Sequence, residues 1–350
     1  MGGHVFIVRS DLTALGCDAW LLPTDRGLSV DKRWTDHLSP PVRVRLEALR
    51  SDRASRPAAW QDGRSRVIPL ADEAGTSAGS RPYLVDVGGW DSTPVSWYVE
   101  GVRQFFDLVA GHAAGWVLPR RGGRALVGLP VVGTGRGGAH GVKGSIVQAI
   151  VDGVHDEADV HDVDIVLVTN DQPMFIAAQH ARRRHLRGRH PEESTGWPDL
   201  PPALAAEATR LAAHAVDERL VVFIGAGVSR ASGLPNWTEL LERIATEASV
   251  GPHEVAALNK LHELDRARIV QHRLGLQERK IGDVVRDVLG TAPFTLAHAL
   301  LASLPIREAV TINYDELFER ASVAAGEAAA VLPYESVKER SRCCSSCMAP

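Results

Sequence analysis

Cysteine is nearly missing from the body of this 350-residue chain: Cys17 stands alone there, while Cys343, Cys344 and Cys347 crowd the last eight residues. A lone interior cysteine excludes a disulfide framework and suits a reducing compartment. An excess of basic charge is missing too, since 39 Lys and Arg face 43 Asp and Glu for a net charge of −4. Without a basic footprint, sequence-independent nucleic-acid binding is not expected. No apolar run approaches the ~18 residues of a membrane span. The Met1–Ile7 start is too short and polar-flanked for a secretion signal. The expectation is a cytoplasmic protein with neither membrane nor nucleic-acid partner. What is present is ordinary globular composition, 45% apolar and 23% charged. At roughly 150 residues per domain, that length suggests about two domains.

The first half alternates strand and helix patterns. Apolar runs recur at His4–Arg9, Asp18–Pro23, Arg66–Leu70, Tyr83–Val87, Ala125–Val132 and Val163–Thr169. Helical patterns fall near Pro41–Arg50, Pro94–Ala114, Val142–Val154 and Pro173–Arg187. Runs apolar throughout, rather than alternating, predict a sheet covered on both faces and so a three-layer α/β domain over residues 1–187. Arg182–Pro202 opens with a basic cluster and continues with Pro191, Gly196, Pro198, Pro201 and Pro202, which predicts a surface linker over 188–202. A second domain, 203–350, begins with a helix at Ala203–Val216 and a short strand at Arg219–Ile224; Glu308–Ile312 is its next clear strand.

Leu220–Trp237 reads LVVFIGAGVSRASGLPNW. A strand delivers Gly225-Ala226-Gly227 at its carboxyl end, where open α/β sheets bind ligands and glycine lets backbone approach a phosphate. The third glycine of the usual dinucleotide fingerprint is replaced by Arg230. This string closely resembles the signature of SIR2-type NAD-binding domains. The resemblance is strengthened by Thr311-Ile312-Asn313-Tyr314-Asp315 with Leu317-Phe318-Glu319, similar to a second block in bacterial NAD-consuming defence proteins. It covers about Leu220–Glu335 and implies a Rossmann-like parallel sheet with NAD as its one cofactor. By that resemblance Gly225, Ala226, Gly227 and Ser229 contact the NAD phosphates, and Ser232, Gly233, Leu234, Pro235 and Asn236 belong to a loop over the nucleotide. Asn313 orients the nicotinamide ribose and attacking water, and Asp315 contacts the nicotinamide end. Fixed polar groups in a dry pocket suit the oxocarbenium-like centre formed when that glycosidic bond breaks.

A second glycine turn, Gly133-Thr134-Gly135-Arg136-Gly137-Gly138, follows the strand Ala125–Val132. Five strands precede it and no acidic residue follows at the distance a dinucleotide fold requires. The segment GLPVVGTGRGG instead resembles the phosphate loop of macro domains, which bind ADP-ribose, and VRSDLTALGCDAWLLPTD resembles their opening. Asp11 would then read adenine. Thr24-Asp25 stands where hydrolytic macro domains carry Ala-Asn, so the resemblance implies binding of an ADP-ribose-type nucleotide rather than its hydrolysis.

SIR2-type catalysis also uses a histidine base, after the asparagine block, in a strand ending Leu-Leu-Lys-Leu-His-Gly. No histidine follows His298 here; the chain closes with Cys343-Cys344-Ser345-Ser346-Cys347-Met348-Ala349-Pro350. Inserting one G into one back-translation of Cys343–Ala349 yields Trp-Leu-Leu-Lys-Leu-His-Gly, so a shifted reading frame is one explanation and a flexible tail another. A C-terminally incomplete sheet is therefore expected, with two strands, an unpaired edge, poor order after about Glu319 and little NAD cleavage. No metal site is expected: Cys344 and Cys347 lack a second pair, and His155–Asp164 reads as a solvated acidic loop.

The expected activity is NAD+ hydrolysis releasing nicotinamide, regulated by an ADP-ribose-type nucleotide, in anti-phage defence. The alternatives are an NAD-dependent protein deacetylase or ADP-ribosyltransferase, or a non-enzymatic ADP-ribose-binding module. A homo-oligomer stays open.

Overall fold

The computed structural model describes residues 2–71, 80–88, 93–116, 118, 124–134, 142–189, 200–290, 292–332 and 342–346. These divide into two compact units, one of Met1–Ala212 with Ala324–Gly326 and one of Ala213–Val323 with Glu327–Pro350. Most of the expected linker, 190–199, lies outside the described residues.

The first unit is a six-stranded sheet wrapped by helices. Its strands are β1 (Val5–Arg9), β2 (Ala19–Thr24), β3 (Val67–Pro69), β4 (Arg81–Asp86), β5 (Leu126–Pro130) and β6 (Asp164–Thr169), in the order β1-β6-β5-β2-β4-β3. All neighbours are parallel except β3, which closes the edge antiparallel to β4. Three helices, α1 (Lys32–Thr35), α2 (Pro40–Ser51) and α3 (Ala58–Gln61), separate β2 from β3. Longer ones follow: α4 (Val95–Ala113), α5 (Lys143–His161) and α6 (Gln172–Arg189).

Both alternating sets of strand side chains are buried. Val5, Ile7, Leu21, Val85, Val127 and Leu167 share one core with Phe105 and Phe106 of α4 and Ile146 and Ile150 of α5. On the opposite face Val8, Leu22, Ile68 and Leu84 are equally buried, and Trp20 meets Trp34 of α1 with ring centroids 6.1 Å apart. Two buried faces explain why these strands read as continuous apolar runs. The expected three-layer α/β architecture is the observed one.

In the second unit α7 (Pro202–Val216), which bridges the division, leads into β7 (Val221–Ile224), α8 (Ala226–Ser229), α9 (Trp237–Glu247), α10 (Pro252–Leu258), α11 (Glu263–Gly275), α12 (Ile281–Leu289) and α13 (Leu296–Ala302). Next come β8 (Glu308–Thr311), α14 (Leu317–Ala324), β9 (Ala329–Leu332) and β10 (Arg342–Ser346). The four strands form an all-parallel sheet ordered β7-β8-β10-β9. This corrects the expected two-stranded remnant: α14, β9 and β10 all form, and β10 fills the place beside β8. Buried Cys344 is what it contributes to the core of Ile224, Ile306, Ala309, Phe318 and Ala329. Leu240, Ile244, Val270, Leu274 and Val284 pack the helical region into a core of its own.

Candidate functional site

Parallel pairing in register, Ile224 opposite Thr311, brings the carboxyl ends of β7 and β8 together. Ile312 N–H donates to the Ile224 carbonyl at 3.1 Å, extending the pairing one residue further. Immediately beyond these ends sit the two segments singled out in the sequence, Gly225–Asn236 and Asn313–Asp315. At Gly225 a Cβ would stand 4.0 Å from Ile312 Cδ1, and at Gly227 it would meet open space among the described residues. The chain makes the single turn of α8 and a 3-10 turn over Arg230–Ser232, then reverses at Gly233, whose φ of +77 favours glycine.

Asn313 is buried at the end of β8, and its Nδ2 donates to Ser229 Oγ at 3.1 Å. Ser229 Oγ also lies 3.3 Å from His298 Nε2. On the far side of the imidazole, Nδ1 is 2.7 Å from Thr295 Oγ1 and 3.2 Å from the Thr295 backbone N. Burial pushes the His298 pKa down to about 4, against the pull of the Asp315 carboxylate, so the ring is neutral. Two buried oxygens, Asn313 Oδ1 in this cluster and Ser232 Oγ in the turn that follows Ser229, have no hydrogen-bond partner among the described residues. Buried polar atoms are normally satisfied, so orphans of this kind mark a place for a ligand's donors.

Other expected contacts are committed to the fold. Asn236 is the N-cap of α9: its Oδ1 accepts from Glu239 N at 2.9 Å, and Glu239 Oε2 accepts from Asn236 N at 3.0 Å. Asp315 Oδ1 accepts from Leu317 N at 3.1 Å, starting α14. Pro235 is half-buried before that cap, and Ala226 is exposed. The Trp237 and Tyr314 rings stack with centroids 5.7 Å apart and an interplanar angle of 11°. His298 was not among the expected site residues. Its signal was the Thr295-x-x-His298 spacing, in which Thr295 caps α13 and the histidine at the third helical position reaches back.

In the first unit Asp11, exposed after β1, accepts from Thr13 N at 2.8 Å and Thr13 Oγ1 at 2.7 Å. Gly133 turns with φ +80, where a Cβ would lie 2.5 Å from the Tyr98 ring. Thr134 Oγ1 donates to the Val131 carbonyl at 2.9 Å. Gly135, Arg136, Gly137 and Gly138 lie outside the described residues. Pairing of β2 with β5 covers only Ala19 and Trp20, so the two strands part towards their carboxyl ends. Near the same edge of the sheet, Ser10, Thr24, Asp86 and Thr169 are buried. Among the described residues Ser10 Oγ and Thr24 Oγ1 lack partners, and burial raises the Asp86 pKa despite a hydrogen bond from Gly88 N. None of these four was expected as a site residue; each reads locally as a strand terminus.

The acidic stretch expected as a loop is instead the end of α5. Glu157 and His161 share a helical face, with His161 Nε2 at 3.1 Å from Glu157 and 3.5 Å from Asp107 of α4. These three could approach a metal ion, but Arg103 already supplies a countercharge to Asp107 at 3.0 Å.

No protein-family model matches the chain. Among curated proteins it is 33% identical over 110 residues to NAD(+) hydrolase ThsA of Bacillus cereus (strain MSX-D12), covering 30% of this chain and 21% of that protein. Against NAD(+) hydrolase ThsA of Cytobacillus dafuensis it is 30% identical over 113 residues, covering 32% and 21%. Part of this chain resembles ThsA. The chain spans about a fifth of the length of these relatives. Among solved structures, a mutant macrodomain of Oceanobacillus iheyensis with ADPR aligns at a TM-score of 0.39 and 16% identity, covering 52% of this chain and 92% of its own. Tomato leucine aminopeptidase, also a mutant, aligns at 0.32 and 13% identity, covering 61% and 43%.

Proposed function

We propose that the second unit binds NAD+ across the carboxyl ends of β7 and β8, in a site built for hydrolysis of the nicotinamide–ribose bond. One observation carries this reading: Asn313 is anchored to Ser229 through Nδ2 while its Oδ1 is buried without a partner among the described residues. A ribose hydroxyl or a water supplies the donor that Oδ1 lacks. The open space over Gly227 lets a diphosphate lie against the backbone. Similarity to ThsA, whose name specifies NAD+ hydrolysis, supports the choice of nucleotide.

In this scheme water adds to the anomeric carbon as the bond to nicotinamide breaks, giving nicotinamide, ADP-ribose and a proton. Asn313 holds the ribose or the water, and the surrounding burial strengthens that hydrogen bond. His298 does not take the proton, because both its nitrogens are engaged and its pKa is low. The base implied by the SIR2 resemblance is a histidine beyond Glu335, where this sequence places cysteines and serines. Binding of NAD+ is the property that Asn313 and the Gly225–Ser229 turn support most directly.

The first unit, in this proposal, binds an ADP-ribose-type nucleotide where β2 and β5 part, regulating the second in a role in defence against phage. The unpaired Ser10 and Thr24 hydroxyls support a ligand there. Calorimetry of the full chain with ADP-ribose tests it: binding that disappears in Gly133→Ala is expected, and no heat removes the assignment. A protein-modifying activity would show as NAD-dependent deacetylation of an acetylated peptide.

A further inference from the structure

Ser229, Thr295, His298 and Asn313 form one hydrogen-bonded chain whose polarity can be read from its fixed donors. The Thr295 backbone N–H can only donate, and it lies 3.2 Å from His298 Nδ1. Thr295 Oγ1 approaches the same nitrogen at 2.7 Å. Nδ1 is thus the acceptor, and in a neutral imidazole Nε2 carries the proton. Nε2–H then donates to Ser229 Oγ at 3.3 Å, and Asn313 Nδ2 donates to the same oxygen at 3.1 Å. Both acceptor positions of the hydroxyl are filled, so Ser229 has only its own proton left to give.

We infer that His298 is the positioning residue of this site: as a fixed Nε2–H donor it anchors Ser229 Oγ, the oxygen to which Asn313 Nδ2 donates, and so holds the Asn313 side chain in place at the end of β8. That the ligand's donor is a ribose hydroxyl of NAD+ rests on the reading above; the tautomer and the anchoring of Ser229 do not. His298 touches no ligand in this scheme. Asp315 is the charged group whose field reaches the ring.

Two measurements on the full chain test this separately. In the first, the protein is labelled with 15N-histidine and the His298 signals are assigned by their loss in His298→Gln. The neutral Nε2–H tautomer is expected throughout about pH 5 to pH 8. An Nδ1–H tautomer or an imidazolium in that range overturns the inference whatever NAD+ does. In the second, NAD+ is titrated into wild type, His298→Gln, His298→Leu, Asn313→Ala and the Leu–Ala double variant. Glutamine keeps a donor near the Nε2 position, whereas leucine fills the space without one.

We expect His298→Leu to weaken NAD+ on the order of tenfold, as Asn313→Ala does, with no further loss in the double variant. His298→Gln should stay within about threefold of wild type. If the leucine variant does not fold, His298→Asn, too short to reach Ser229, gives the same comparison. Wild-type affinity in the leucine or asparagine variant, beside weakened Asn313→Ala, overturns the positioning role. Unchanged affinity in Asn313→Ala overturns the NAD+ assignment and leaves the tautomer result standing.

Discussion

Asn313 Nδ2 donates to Ser229 Oγ across 3.1 Å, joining residues 84 positions apart and tying the end of β8 to the glycine turn after β7. The bond leaves the amide oxygen buried with no donor among the described residues, an arrangement that costs about 1–3 kcal/mol unless a ligand relieves it. Asn313→Ala should therefore leave the melting temperature unchanged or slightly raised, while NAD+ affinity in a calorimetric titration falls about tenfold. A clear loss of stability with affinity intact would make Asn313 a structural residue.

Gly227→Ala separates folding from binding in the opposite sense. Its Cβ meets nothing, and the residue lies within a helical turn. Alanine there should stabilise the fold by about 0.5 kcal/mol, seen as a small rise in melting temperature. The same methyl occupies the space assigned to the diphosphate, so NAD+ binding should weaken by about tenfold or more. Undiminished affinity would move the nucleotide off this turn.

Gly133→Ala is expected to be costly without any ligand. Its φ of +80 is strained for alanine, and the added Cβ would press on the Tyr98 ring at 2.5 Å. A loss of about 1–3 kcal/mol should appear in chemical denaturation of the full chain. ADP-ribose binding should disappear with it, and NAD+ binding should persist.

His298 gives the stability a pH signature. Its folded pKa, about 4, lies below the ordinary histidine value, so between the two the unfolded chain binds more protons. Stability is then full above about pH 6.5 and is lost as pH falls towards 4. On lowering the pH from about 7.5 to 5, the wild type should lose about 2 kcal/mol more than His298→Gln. Identical pH profiles for the two proteins would show that the imidazole is not held neutral.

Much of the fold was legible because it depends on local pattern. All six strands of the first unit fall within a residue or two of their apolar runs, since a sheet buried on both faces leaves continuous hydrophobic stretches. The second sheet was less legible. Nothing in Arg342–Ser346 carries β propensity, and its place beside β8 comes from tertiary pairing. At the site, Ser229 stood out because it follows a glycine turn at a strand end, and Asn313 because its block resembles a second SIR2 segment. His298 did not, because a histidine inside an apolar helix reads as packing until the fold brings Ser229 to its Nε2. The length of α5 was also missed: charged residues suggested a loop, while Glu157 and His161 continue one helical face.

The measurement that bears most directly on the central claim is a calorimetric titration of the full chain with NAD+, repeated on Asn313→Ala, Gly227→Ala and Gly133→Ala. Saturable binding that weakens in the first two variants and is untouched in the third is the predicted result. Absence of binding in the wild type, or one affinity shared by all four proteins, would contradict an NAD+ site at the carboxyl ends of β7 and β8.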